Sequence, residues 1–175
     1  MDEEKRNLDS KIHMKREDLA GENKLGDAGQ LILFLIFLAV WIIDSFILKF
    51  SIVAVNPNLL LIRIPLGIGI LFIAGYLAKS GLGIVFGQVR ETPRVIREGV
   101  FKLVRHPIYL GAILLYPGLL AFSLSVLAAI IWAVIIVFYY YISRYEEKLL
   151  LEKFGSDYEE YIKEVPMFIP RLKRK

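Results

Sequence analysis

The sequence predicts an all-α, polytopic membrane protein with four transmembrane helices and a helical cytoplasmic C-terminal tail. Hydrophobic residues make up 56% of the 175 residues, and the mean hydropathy of +0.53 is well above that of ordinary globular domains. The apolar residues form long blocks, at 31–50, 59–77 and 107–142, which carry very few charges. Because a bilayer core of about 30 Å needs about 20 residues of helix, each block is long enough to cross a membrane.

The blocks predict helices at about 30–50, 59–79, 106–122 and 124–144. The last block, 107–142, carries no charged residue, and its length allows it to cross the membrane, turn and cross back. Its most polar point, Ser123-Leu124-Ser125, is the predicted turn. The third helix is the shortest, since 107–122 spans only about 24 Å. It must tilt, begin earlier or stop short of the far interface.

Lysine and arginine residues predict the orientation in the membrane. Residues 1–28 hold six of them, 79–105 hold six and 144–175 hold eight, whereas the loop 51–58 holds none. By the positive-inside rule, both termini and the central loop are expected in the cytoplasm, which agrees with an even number of crossings. The formal net charge of +4 therefore indicates contact with anionic membrane lipid and not with nucleic acid.

The length fits one domain. Residues 1–28 hold six basic and eight acidic residues, a composition typical of a tail without a core of its own, so the membrane domain is expected to occupy 29–175. Asp44 and Arg63 lie inside the first two helices. Since a charge unpaired in lipid is costly, we expect a structural role for them, either as an ion pair or with Arg63 alone extending to the interface.

Local signals order the residues that follow the fourth helix. We expect that helix to continue to Phe154 and to end at Gly155, a residue typical of helix ends. Ser156 with Glu159 fits a capping box that opens a short further helix. The charged tail is then expected to fold back over the membrane face.

Two clusters of ionisable residues flank the charge-free block. They are Arg105-His106-Pro107-Ile108-Tyr109 and Arg144-Tyr145-Glu146-Glu147, and a helical hairpin brings both to the same membrane edge. Since proline is favoured in the first turn of a helix, His106 lies near the N-cap, where unpaired N–H groups and the helix dipole favour an anion. A carboxylate from the second cluster can bind hydroxyl groups or an ammonium. Singly, each cluster is also explained by a helix cap with interfacial anchors, or by a solvated helix face.

Several other kinds of site are excluded by composition. The chain has no cysteine and only two histidines, His13 and His106, too few ligands for a usual zinc site. It contains no phosphate-binding P-loop and no G-x-S-x-G nucleophile elbow. Gly81-Leu82-Gly83 follows no predicted strand, so it does not fit a dinucleotide fingerprint.

The residues from Glu98 to Gly111, which read EGVFKLVRHPIYLG, resemble the first signature of the isoprenylcysteine carboxyl methyltransferase and phospholipid methyltransferase superfamily. A second part follows in the expected order, at Glu146-Glu147, Leu150, Phe154-Gly155, Tyr158, Tyr161, Val165-Pro166 and Phe168-Ile169-Pro170. The resemblance covers about residues 95–171. Residues 1–80 resemble the family only as generic membrane helices.

The resemblance implies an S-adenosylmethionine-dependent methyltransferase whose lipophilic or prenylated substrate comes from the bilayer to the cytoplasmic face. The implied cofactor contacts are Val104, His106, Tyr109, Leu110, Glu146 and Glu147, and the implied catalytic residues are Arg105, Arg144 and Glu147. Either arginine has the geometry to position an acceptor carboxylate or phosphate. The reaction most like this pattern is isoprenylcysteine carboxyl O-methylation. The alternatives are phospholipid amine N-methylation, an NADPH-dependent membrane reductase, and a scaffold without catalytic activity.

Overall fold

The computed structural model of the chain describes residues 24–53, 59–87 and 93–170. This part contains five α-helices: α1 (Lys24–Ile42), α2 (Leu60–Phe86), α3 (Pro107–Ser123), α4 (Val126–Phe154) and α5 (Ser156–Glu164). A π-helical turn, Ile43–Leu48, extends α1, and a 3-10 helix, Gly99–Lys102, precedes α3. The only β-type pairing among the described residues is one isolated antiparallel bridge between Ile52 and Ser125. The predicted all-α fold is confirmed.

Three segments are long and apolar enough to cross a membrane: Gly26–Leu48, Leu60–Phe86 and Val126–Phe154. Helix α3 is equally apolar but has 17 residues, which give a length of about 26 Å. This is shorter than a bilayer core of about 30 Å. Three of the four predicted spans therefore reach bilayer length on their own, and α3 is short, as its sequence predicted.

Helices α2 and α3 pack closely because small residues line their contact. A Cβ added at Gly111 would lie 2.7 Å from the carbonyl oxygen of Ala74, and one at Gly67 would lie 2.6 Å from the Cβ of Ala121. Small residues let helix backbones approach each other in lipid, where no hydrophobic effect drives association. This contact fixes where α3 begins relative to the end of α2.

Aromatic residues join α1 to α3 and α4. The rings of Phe37 and Tyr116 lie 4.6 Å apart in an edge-to-face arrangement, a geometry that aromatic pairs prefer. Ile135 and Tyr139 of α4 complete this buried cluster. The Tyr139 hydroxyl also donates a hydrogen bond of 3.3 Å to Oε1 of Gln30. Helix α1 is thereby held against the part of the bundle that carries the two polar clusters.

Asp44 and Arg63 do not form an ion pair, so that one of the two predicted structural arrangements is wrong. Asp44 is 2% exposed, and its carboxylate accepts hydrogen bonds from the backbone N–H and hydroxyl of Ser51 and from the hydroxyl of Ser125. Arg63 instead donates to the backbone carbonyl of Phe122 over 3.4 Å. Because several donors satisfy the carboxylate, it needs no cation. It ties the residues after α1 to the α3–α4 turn.

Two helix boundaries differ from the prediction. Helix α1 begins at Lys24, so the expected boundary between tail and domain at residue 28 falls inside it; residues 1–23 lie outside the described part of the chain. Helix α2 continues to Phe86, beyond the predicted end at about 79. Gly81 lies within α2 because Ile108 packs against it; a Cβ there would come within 2.6 Å of Ile108. Tertiary packing thus overrides the low helix propensity of glycine.

The end of α4 matches the prediction more closely. Helix α4 runs to Phe154, and Gly155 follows with a φ of +52°, a backbone conformation that favours glycine. The predicted short helix, α5, begins at Ser156. The predicted capping box is wrong, because Gly155 occupies the N-cap and no side chain caps the helix.

Candidate active site

Both polar clusters lie at the same end of the helix bundle. They border a cavity of about 440 Å³, which is also lined by the first residues of α1, the last residues of α2, the segment before α3, and α5. The volume falls within the range of about 300–1,000 Å³ that is usual for small-molecule and cofactor sites. The hairpin of α3 and α4 therefore brings the clusters together, as the sequence predicted.

The start of α3 is held by the chain that follows α5. His106 is the N-cap residue and Pro107 is the first residue of the helix, as the R-H-P pattern predicted. The backbone N–H of Arg105 donates to the carbonyl of Pro166 at 2.9 Å, and that of His106 donates to Met167 at 3.3 Å. These bonds tie the start of α3 to the C-terminal segment.

Arg105 and Glu147 form a buried ion pair behind His106. Oε1 of Glu147 accepts from Nε of Arg105 at 2.8 Å and lies 2.7 Å from its Nη2. The side chains are 8% and 2% exposed. Nη1 of Arg105 also donates to the carbonyls of Ile162 and Val165. The pair therefore joins α3, α4 and the end of α5.

Glu146, Tyr109 and His106 form a second polar group, which faces the cavity. The Tyr109 hydroxyl donates to Oε1 of Glu146, and Oε2 of Glu146 lies 3.6 Å from Nδ1 of His106. The rings of His106 and Tyr109 are parallel, with centroids 5.7 Å apart. Nε2 of His106 lies 3.4 Å from Oε1 of Glu147. His106 thus lies between the two glutamates, and its ring orientation is fixed by both.

Helix α5 contributes two tyrosines, Tyr158 and Tyr161, to the wall of the cavity. The Tyr161 hydroxyl donates to the backbone carbonyl of Phe101 at 2.7 Å, and the Arg97 guanidinium lies 5.8 Å from the Tyr161 ring centre. Burial raises the pKa of the Tyr158 and Tyr161 hydroxyls above the ordinary value. Both side chains are therefore neutral at physiological pH; Tyr161 donates a hydrogen bond, and both tyrosines pack in the apolar cluster at α5.

The sequence profile of the phospholipid methyltransferase family matches residues 59–157, which is more than half of the chain. The chain belongs to the phospholipid methyltransferase family. The matched part runs from the start of α2 into α5 and contains both polar clusters. Helix α1 lies outside it. This family membership confirms the resemblance that the motifs indicated, and it favours methyl transfer over the reductase and scaffold alternatives.

About half of this chain is similar in sequence to each of three proteins that are named as methyltransferases. The chain is 34% identical over 95 residues to methanethiol S-methyltransferase 2 of Bradyrhizobium diazoefficiens, covering 50% of this chain and 31% of that protein. It is 34% identical over 82 residues to protein-S-isoprenylcysteine O-methyltransferase B of Arabidopsis thaliana, covering 46% and 41%. Methanethiol S-methyltransferase 1 of the same Bradyrhizobium strain is 32% identical over 87 residues, covering 48% and 29%. The aligned part spans about a third to two-fifths of the length of these relatives.

In this family member, the predicted site residues fall into two groups. Four of them line the cavity: Arg105, His106, Tyr109 and Glu146. The other four do not line it. Val104 is fully buried, and Leu110 packs in the apolar cluster beside α2. Glu147 lies behind His106, and Arg144 is 59% exposed, with its Nη1 3.4 Å from Oε2 of Glu147. The adjacent glutamates point in different directions, as the helix geometry predicted, and Glu146 is the one that faces the cavity.

The sequence did not identify three polar residues that line the cavity of this phospholipid methyltransferase family member. Asp27 and Gln30 lie in the first turns of α1, and Arg94 lies in the segment before the 3-10 helix. Charges next to an apolar block are common at membrane interfaces, so nothing in the sequence separates these three from anchoring residues. In residues 24–53, 59–87 and 93–170, no three side chains of His, Asp or Glu are arranged to hold a metal ion.

Proposed function

We propose that this protein is an S-adenosylmethionine-dependent methyltransferase that acts on a lipophilic acceptor at the cytoplasmic face of the membrane. The observation that carries the proposal is the cavity itself. One wall, the polar wall, is formed by His106, Tyr109 and Glu146, and the lining also includes apolar residues such as Leu82 and Phe86. A site of this composition suits a polar cofactor that meets an apolar substrate.

The residues present fit S-adenosylmethionine. Glu146 offers carboxylate oxygens, which can accept hydrogen bonds from an ammonium or from ribose hydroxyl groups. The aromatic rings of Tyr109, Phe154 and Tyr158 border the same space, and such rings stabilise both a planar base and a sulfonium cation. The cavity volume of about 440 Å³ is also in the range of cofactor sites.

The chemistry requires positioning more than proton transfer. When bound, the cofactor would supply an activated methyl group on a cationic sulfur, a good leaving group for transfer to an acceptor. The role of His106, Tyr109 and Glu146 is to hold the donor in line with the acceptor atom, and that of α5 is to exclude water. A carboxylate acceptor needs no base, whereas an amine acceptor must lose a proton, which Glu146 can accept.

We assign Arg105 and Glu147 a positioning role. Glu147 bonds to Arg105 and lies beside His106, while Arg105 holds the carbonyls of Ile162 and Val165. The two residues therefore set the orientation of His106 and hold the C-terminal segment against the start of α3. Arg144 contacts Glu147 from the solvent side, and we assign it a supporting role.

Val104 and Leu110 are given packing roles. Their backbone N–H groups already donate to the carbonyls of Val100 and His106. Neither N–H is therefore available to a cofactor. We assign the cofactor contacts to the side chains of the polar wall, His106, Tyr109 and Glu146.

The proposed acceptor is a lipophile, with the carboxylate of a prenylated cysteine as the leading candidate. Leu82 and Phe86 line the cavity and are also about half exposed on the outer surface of α2, which favours access from the lipid phase. The similarity to isoprenylcysteine O-methyltransferase B supports this class. The similarity to two methanethiol S-methyltransferases supports thiol S-methylation as a second candidate.

Two measurements on the purified protein in detergent test the proposal. Calorimetry with S-adenosylmethionine and with NADPH is expected to give binding of the first only. Transfer of a labelled methyl group is then measured with an S-farnesylcysteine carboxylate, a phosphatidylethanolamine and an alkyl thiol. We expect label in the carboxylate ester; label in the thioether only would favour the second candidate. Binding of neither cofactor would overturn the proposal.

A further inference from the structure

Three arginines lie in or beside the segment that leads into α3, and two of them are fully engaged by protein groups. Arg97 contacts Asp157, Glu160 and Glu164 of α5. Arg105 contacts Glu147 and the carbonyls at the end of α5. Their guanidinium groups therefore hold the fold together and are not available to a ligand.

Arg94 is different, because it lines the cavity and is exposed. Within the described part of the chain it makes no hydrogen bond or ion pair. The sequence assigned the binding of an acceptor anion to Arg105 or Arg144. Arg105 is occupied by Glu147, and Arg144 does not line the cavity. This leaves Arg94 as the arginine at the cavity, among the described residues, with its donors unused.

The residues that follow Arg94 in the chain are apolar and anchored. Val95 packs against the cluster that contains Tyr158 and Tyr161, and Ile96 packs against the cluster that contains Leu77. Consecutive Cα atoms are only about 3.8 Å apart, so these contacts hold the backbone of Arg94 in place. Arg94 lines the same cavity as the apolar side chains of Leu82 and Phe86, and the carboxylate of Glu146 is contributed by another helix.

We propose that Arg94 binds the anionic group of the methyl acceptor and so selects lipophiles that carry a carboxylate or a phosphate. This inference rests on the proposed function, since it names the acceptor class of the same site. The planar guanidinium matches a carboxylate or phosphate through two parallel hydrogen bonds. The lipid chain lies along Leu82, Phe86 and Ile108 while Arg94 fixes the anion. An acceptor without an anion loses this contact and binds more weakly.

The test compares pairs of ligands that differ in charge, on the full chain in a neutral detergent. One pair is S-farnesylcysteine carboxylate and its carboxamide; the other is dodecyl phosphate and dodecanol. Calorimetry measures each dissociation constant for the wild type, Arg94→Gln, Arg94→Lys and the control Lys102→Gln, which removes a charge from an exposed residue outside the cavity. The pair that shows the larger charge preference identifies the anion as carboxylate or phosphate.

We expect the wild type and Lys102→Gln to bind at least one anionic ligand about tenfold more tightly than its neutral partner, as hydrogen bonds to charged groups allow. Arg94→Gln should lose most of this preference, and Arg94→Lys should keep part of it. Arg94 has no partner within the described part of the chain, so the variants are expected to fold, which circular dichroism verifies.

Three results would overturn the inference. They are the lack of any charge preference in the wild type, an unchanged preference in Arg94→Gln, and a loss of S-adenosylmethionine affinity in Arg94→Gln while the preference for anionic lipophiles persists. The last result would place Arg94 in the cofactor subsite. If no acceptor is methylated but the charge preference depends on Arg94, the proposed function fails while the anion site stands.

Discussion

Arg105 and Glu147 are 42 residues apart in the chain and form an ion pair. One carboxylate oxygen of Glu147, Oε1, lies 2.8 Å from Nε and 2.7 Å from Nη2 of the Arg105 guanidinium. The same guanidinium reaches two carbonyls at the end of α5. One ion pair therefore holds together the start of α3, the last part of α4 and the C-terminal segment. Arg105 of this pair lines the cavity, and His106 lies between Glu147 and Glu146.

We predict that Glu147→Gln destabilises the protein by about 3 kcal/mol or more, because it leaves Arg105 as an uncompensated buried charge. The double variant Arg105→Gln/Glu147→Gln should lose less than the sum of the two single variants, since neither charge then remains. Thermal unfolding in detergent measures both. Additive losses, or a loss no larger than that of the exposed control Glu152→Gln, would contradict a coupled buried pair.

We predict that Glu146→Gln and His106→Ala each weaken S-adenosylmethionine binding about tenfold while the melting temperature stays close to that of the wild type. Both residues line the cavity, and a hydrogen bond to a charged group is worth about 1.5–3 kcal/mol. Calorimetry measures the affinity, and Glu152→Gln on the same helix is the matched control. Wild-type affinity in both variants would remove the polar wall from the cofactor site.

We predict that Gly111→Ala lowers the free energy of unfolding by about 1–3 kcal/mol, the usual cost of overpacking. The added Cβ would meet the backbone of Ala74 at 2.7 Å, and a backbone cannot move aside without separating α2 from α3. Gly83→Ala is the matched control, because a Cβ there has open space around it and improves helix propensity. An equal effect of the two variants would show that the α2–α3 contact is looser than the structure indicates.

We predict that Asp44→Asn lowers the melting temperature without changing S-adenosylmethionine affinity. The carboxylate accepts from Ser51 and Ser125 at the end of the bundle away from the cavity, and an amide replaces one acceptor oxygen by a group that only donates. Thermal unfolding and calorimetry on the same sample measure the two properties. Loss of affinity in a variant of unchanged stability would instead assign Asp44 a role in the site.

We predict that the cavity end of the bundle faces the cytoplasm, because the basic residues concentrate there. The chain has no native cysteine, so a single cysteine can be labelled selectively. A membrane-impermeant maleimide applied to intact cells should label Val53→Cys, at the opposite end, and should not label Lys102→Cys. The reverse pattern would contradict the predicted orientation.

The motifs predicted much of the candidate site, because they act through local geometry. Pro107 is favoured in the first turn of a helix, and His106 is accordingly the N-cap of α3. Gly155 takes a positive φ, and α4 therefore ends after Phe154. These outcomes depend on a few neighbouring residues, and the sequence contains all of them.

Other features depended on contacts between distant parts of the chain and were missed. An ion pair between Asp44 and Arg63 was one predicted arrangement, but the hydroxyls of Ser51 and Ser125 bind the carboxylate instead. Helix α2 passes through Gly81, beyond its predicted end at about 79, and Ile108 packs against it there. In both cases the deciding partner lies in a different element, and local propensity carries no information about it.

The sequence by itself determined that this protein is a helical membrane protein and a member of the phospholipid methyltransferase family, since hydrophobic block length and ordered motifs are properties of the chain alone. Only the tertiary structure decided that Glu146 faces the cavity while Glu147 is bound to Arg105, and that Asp27, Gln30 and Arg94 join the lining. The physical reason is that helix packing sets the rotation of each helix about its axis. A hairpin predicted from sequence brings two clusters to the same membrane edge but leaves that rotation open.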